Sequence, residues 1–105
     1  MNSAQVIAKL SMIFTKEDME RVHASVGQNG EEIIFADVHG FHAGRARRFL
    51  KNIIAMMRKA FELVVIHGFN NGTVLKDMIR EDFKSLQIET DECNEGRTIM
   101  YIQGC

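Results

Sequence analysis

The chain has no proline and only two cysteines in 105 residues. Without proline there are no rigid polyproline spacers or Pro-rich recognition segments, and long disordered linkers are not expected. Cys93 has no Cys-x-x-Cys partner, and Cys105 is the last residue, where chain ends fray. A disulfide framework is therefore not expected, and a reducing, cytoplasmic setting fits better. The opening residues, Met1-Asn2-Ser3-Ala4-Gln5, lack the basic and continuously apolar stretches of a secretory signal. No run approaches the roughly 20 apolar residues that cross a bilayer, so no membrane partner is expected. Gly-x-Gly-x-x-Gly, Gly-Lys-Ser/Thr and Gly-x-Ser-x-Gly are all missing, which removes the dinucleotide, P-loop and nucleophile-elbow readings. His39-x-x-His42 with Cys93 lacks zinc-ligand spacing. No metal site or cofactor is assigned, and a divalent ion is left open without any ligand spacing to indicate one.

At this length there is room for one domain with its own core. Apolar residues make up 46% and charged residues 26%, the balance of an ordinary globular protein. The formal net charge of −1 conceals a segregation of sign. Residues 1–38 carry three basic and six acidic side chains, and residues 61–105 carry four and eight. Residues 39–60 carry six basic groups, Arg45, Arg47, Arg48, Lys51, Arg58 and Lys59, and no acidic one. Such a segment suits a polyanion, and it is also what a solvated helix face looks like.

Hydrophobic periodicity divides the chain into a helical arm over residues 1–30 and an α/β domain over residues 31–105. In the arm, Val6, Ile7, Leu10, Ile13 and Phe14 recur at helical spacing. Thr15, with Asp18 three residues on, caps a second helix that Gly27 and Asn29-Gly30 end. Packing on the domain, homodimer contact and mobility are all open to such an arm. Residues 33–38 read as a buried strand running into His39-Gly40. Residues 43–60 read as a helix whose stripe of Ala46, Phe49, Leu50, Ile53, Ile54 and Met57 faces the core. The basic groups fall on its other half, where Met56 is the one large apolar residue. A second strand over 61–66 ends in His67-Gly68, and a helix near 74–84 turns Leu75, Ile79 and Phe83 inward. Residues 86–90 and 98–102 form a β hairpin around a polar turn. The expected fold is α/β, a two-layer β-α-β-α-β-β sandwich behind a helical arm.

Strand, His-Gly, helix thus occurs twice. A strand–helix–strand unit in one sheet makes parallel neighbours, which bring His39 and His67 to one edge, at the carboxyl ends where open α/β sheets hold ligands. Asp37 lies two residues before His39 and so shares its face of the strand. Gly40 and Gly68 allow close backbone approach there. After His67, Phe69 leads into Asn70, Asn71 and Gly72, which tolerate left-handed backbone, and Thr73 is placed to cap the next helix. Exposed N–H groups at such a helix start favour a phosphate. The chemistry this arrangement allows is phosphodiester cleavage. One histidine or Asp37 takes a proton from the attacking oxygen, and another histidine protonates the leaving oxygen. Taken singly, each His-Gly is equally well a strand running into a turn, and Asp37 a carboxylate accepting backbone hydrogen bonds.

Together these residues resemble the Smr (small MutS-related) domain. Ala36-Asp37-Val38-His39-Gly40 matches its Leu-Asp-x-His-Gly signature, and Ile66-His67-Gly68-Phe69-Asn70-Asn71-Gly72 matches part of its His-Gly-x-Gly-x-Gly signature. Gly96-Arg97-Thr98, before Ile99-Met100-Tyr101-Ile102, is similar to its closing Gly-x-Thr and strand. The likeness spans residues 33–103. It implies the fold of the C-terminal domain of translation initiation factor three, binding to DNA or RNA and, in several members, nicking or cleavage of the strand. It places Asp37 and His39 in the proposed catalytic motif and His67, Gly68 and Gly72 in the second. Ala36 stands for the usual leucine, Phe69 for a frequent lysine and Asn70 for the middle glycine. Phe69 is suited to stack on a base, and Arg45, Arg47 and Arg48 to meet phosphates. The expected function is nucleic-acid binding with endonuclease activity. The alternatives are a non-catalytic module docking on nucleic acid or the ribosome, and a protein-interaction domain dimerising through residues 1–30.

Overall fold

The computed structural model describes residues 3–57, 60–68, 74–83, 87–90 and 96–102. In chain order the elements are α1 (Ser3–Leu10), α2 (Lys16–Met19), β1 (Val22–Val26), β2 (Glu32–Asp37), α3 (Ala43–Met56), β3 (Phe61–Ile66), α4 (Val74–Asp82), β4 (Gln87–Thr90) and β5 (Arg97–Ile102). The strands form one mixed sheet in the order β1-β2-β3-β5-β4. β2 and β3 are the parallel pair that the repeated strand–helix pattern demands, with Asp37 opposite Ile66 at their carboxyl ends. The other pairings are antiparallel, including the expected β4–β5 pair. The turn residues 91–95 lie outside the described residues.

Alternation decides which face of the sheet is covered. Ile34 and Ala36 of β2, Leu63 and Val65 of β3, and Met100 of β5 are fully buried. They share one hydrophobic cluster with Leu50 and Ile53 of α3, Ile79 of α4 and Leu10 of α1. The helices therefore lie on a single face, and the molecule is a two-layer α/β structure. The core stripe of α3 is the one that periodicity indicates, and Ile54 and Met56 pack against its margin. This helix ends at Met56 and not near residue 60. Met57 is buried in an extended conformation (φ −87°, ψ 134°), turning the chain back toward the sheet after its last helical side chain. Among the described residues, no helix is long and apolar enough to cross a membrane.

The first thirty residues depart most from the helical arm expected of them. Thr15 caps α2 as its spacing indicates, its hydroxyl accepting the Asp18 N–H at 3.2 Å. The helix then stops after one turn, and residues 22–26 become an edge strand antiparallel to β2. Gly27 and Asn29-Gly30 are therefore a strand-to-strand turn and not a helix stop. The Gly27 N–H bonds the Glu31 carbonyl at 2.8 Å, and Gly30 takes φ +80°. An Asn-Gly pair between Val22–Val26 and the apolar start of β2 is a hairpin signal in its own right. β1 gains a ladder of backbone hydrogen bonds on the open edge of β2, which outweighs weak local helix propensity. The arm is thus part of the domain. Leu10 is fully buried, Phe14 stacks on Phe49 with ring centroids 4.7 Å apart, and Met12 and Ile13 are left exposed.

Candidate functional site

The carboxyl-terminal rim of β2 and β3 collects the described residues of the three sequence signatures. At the end of β2, one Asp37 carboxylate oxygen accepts the His39 backbone N–H at 3.1 Å and also meets His39 Nδ1. A carboxylate accepts only, so Nδ1 carries a hydrogen, and in the uncharged tautomer the lone pair lies on Nε2. The His39 side chain is 61% exposed and that of Asp37 31%, so the pair faces solvent. Gly40 follows with φ +81°. A Cβ there would meet nothing within 4 Å, so the glycine is required by backbone conformation alone. Gly40→Ala is expected to cost about 1–2 kcal/mol, the strain of a left-handed alanine, measurable as a lowered urea midpoint. An unchanged midpoint would mean that the turn relaxes.

At the end of β3, the His67 and Gly68 N–H groups both donate to the Gly96 carbonyl, each at 2.9 Å. Gly68 has φ +71°, and a Cβ on it would lie 3.4 Å from the His39 Cβ. The two His-Gly turns therefore touch, as parallel strands require. Their imidazoles differ in environment. His67 is only 4% exposed, with Nδ1 2.9 Å from the Gly68 carbonyl and Nε2 3.0 Å from the Thr98 hydroxyl. The carbonyl can only accept, so Nδ1 is the donor and Nε2 receives the Thr98 hydroxyl. The sequence places His67 at the rim as a proton-transfer group, and the structure seats it beneath the rim with both nitrogens engaged. The closing Gly-x-Thr is what holds it. Thr98→Val removes a partner of a buried nitrogen and is expected to destabilise the fold by about 1–3 kcal/mol in denaturant unfolding. A change under about 0.5 kcal/mol, the usual range for surface sites, would show that the bond is not needed.

Arg21, which no local sequence pattern singles out, completes the rim. It precedes β1, and the antiparallel hairpin sets it beside the end of β2. Its guanidinium donates to the carbonyls of Asp37 (3.3 Å) and His39 (3.0 Å) and lies 4.0 Å from the Asp37 carboxylate. It also rests over the Phe41 ring at 4.5 Å, and Arg45 lies over the same ring at 4.0 Å. His42 begins α3 by accepting the Arg45 N–H at Nδ1, so it serves as an N-cap.

The basic stripe of α3 is less free than its sequence implies. Arg45 bonds Asp18 at 2.8 Å and Arg47 bonds Asp82 at 2.7 Å. Acidic residues from the segments before and after therefore flank the cationic helix. Both arginines are still over two-fifths exposed. Arg48 is exposed and has no acidic partner among the described residues. Phe69, Asn70, Asn71, Gly72 and Thr73, the expected phosphate loop, lie outside the described residues, as do Cys93 and Cys105. Among the described residues, no group of three or more His, Cys, Asp or Glu is placed to hold a metal ion.

Compared with known proteins, the chain matches no family model, no curated protein and no solved structure.

Proposed function

We propose that this domain binds a strand of DNA or RNA across the β2–β3 rim and cleaves a phosphodiester there, in the manner of the Smr domains it resembles. The observation that carries the reading is the exposed Asp37–His39 pair, with Nδ1 tied to the carboxylate and Nε2 left as a base. His39 Nε2 takes a proton from the attacking oxygen of a water as its bond to phosphorus forms. The bond to the leaving oxygen breaks, and that oxygen takes a proton from the imidazolium or from solvent. Asp37 steadies the imidazolium, and the Arg21 guanidinium adds positive charge beside the phosphate. His67 acts as a positioning residue that fixes the second turn against His39. The resemblance adds the 69–73 loop as a phosphate cradle.

A binding-only module is the second reading. The burial of His67 favours it, because the described rim then offers one free imidazole where two were expected.

Labelled single- and double-stranded DNA and RNA, incubated with and without Mg²⁺, test the first reading against the second. Cleavage by the wild type that disappears in the Asp37→Ala, His39→Ala double variant, with binding kept, supports the enzyme. Binding without cleavage by either protein supports the module. Affinity should fall with salt by about 0.7–0.9 log units per log unit for each phosphate contacted, and affinity that ignores salt would remove both readings.

A further inference from the structure

Beside the rim, a cleft of about 260 Å³ opens between α3 and the turn joining α1 to α2. We infer that this cleft holds one unpaired nucleotide of the bound strand, its phosphodiester on Arg48 and its base against Ile13 and Phe14. The inference rests on the proposed rim function and names the form of nucleic acid that the rim accepts.

Size comes first. The cleft lies just below the roughly 300–1,000 Å³ of small-molecule pockets, so it admits one small unit and not a base-paired stack. Charge comes second. Arg45 and Arg48 line it with Asp18, and Asp18 bonds Arg45 at 2.8 Å. The surplus is one positive charge, that of Arg48, which matches the single negative charge of an internal phosphodiester. Arg48 has the forked donor geometry that suits phosphate oxygens. Chemistry comes third. Ile13 is 49% exposed on one wall beside the half-buried Phe14 ring, an apolar lip suited to the face of a base. Asn52, one turn beyond Arg48 along the same side of α3, brings an amide that both donates and accepts.

Continuity with the rim comes fourth. Arg21, which bonds the His39 carbonyl, and Arg45, which lines the cleft, both pack on Phe41. A strand lying on His39 therefore meets Arg45 and then Arg48, about 4.5 Å farther along the helix axis. The sequence offers Arg45, Arg47 and Arg48 alike to phosphates, and the cleft singles out Arg48 by pairing Arg45 with Asp18 and setting an apolar lip opposite.

Charge reversal tests the assignment. Arg48→Glu is compared with Lys9→Glu, an equal reversal on α1 outside the cleft, using a single-stranded 12-mer and the duplex of the same sequence. Arg48→Glu should weaken single-strand binding at least tenfold and raise KM with kcat kept, while Lys9→Glu changes single-strand affinity less than threefold. Titrating the wild type with a thymidine dinucleotide that carries one phosphodiester should move the amide resonances of Ile13, Phe14 and Asn52. Equal effects of the two reversals, or resonances that stay fixed while the 12-mer binds, overturn the cleft and leave the rim reading standing. A wild type that binds neither single strand nor duplex overturns both. Thermal unfolding of each variant shows whether its fold is intact, and Asn52→Ala, which leaves the charge alone, repeats the test if Arg48→Glu does not fold.

Discussion

His39→Ala is expected to slow strand cleavage by about 10²–10⁴-fold, the usual contribution of one positioned acid–base group, with substrate affinity nearly unchanged. Asp37 fixes the ring from below through Nδ1, and the exposed Nε2 is the described rim's one ring nitrogen free to accept a proton. Asp37→Asn tests the same arrangement from the other side. The amide can present its N–H₂ to Nδ1, which stabilises the tautomer with hydrogen on Nε2 and removes the base without removing the ring. Both variants should therefore lose rate, and both should still bind at low salt because the arginines are intact. Single-turnover cleavage with saturating protein separates rate from affinity. Undiminished cleavage by His39→Ala would assign the chemistry elsewhere.

Leu10→Ala is expected to lower unfolding free energy by about 2–5 kcal/mol, the range for truncating a buried leucine. Small domains hold only about 5–15 kcal/mol in all, so this is a large share. A helix loosely attached to the domain would lose far less. Met12→Ala, two residues on and 84% exposed, should stay within about 0.5 kcal/mol and serves as the internal control. Chemical denaturation followed by circular dichroism measures both. Equal, small effects would return α1 to the status of a separate arm. The consequence for the site is direct. α1 packs beside β1 and β2, and the chain from α1 to β1 carries Asp18 and Arg21, so loosening this segment also frees Arg21 from the His39 carbonyl and Asp18 from Arg45.

Much of the central unit was legible because its signals are local. The 3.6-residue stripe of Ala46, Phe49, Leu50 and Ile53 needs no knowledge of the rest of the chain, and all four are buried as the stripe requires. Two short apolar runs joined by that helix have one common arrangement, parallel and adjacent. From it the meeting of the His39-Gly40 and His67-Gly68 turns follows. β1 is not legible because five residues hold too little periodicity to separate strand from helix, and what decides them is the open edge of β2. The Asn-Gly turn was the available clue.

By itself, then, the sequence determined the alternation of strands and helix, the shared edge of the two His-Gly turns, and the placing of Asp37 and His39 on one face. The first and last depend on neighbours a few residues apart, and the shared edge follows from the one common arrangement of a strand–helix–strand unit. Tertiary structure alone decided the rest. It set Arg21 beside His39, drew His67 under Thr98 across 31 residues, and matched Arg45 and Arg47 with acids 27 and 35 residues away. Burial and charge pairing depend on which distant segments share a surface, and no local pattern contains that.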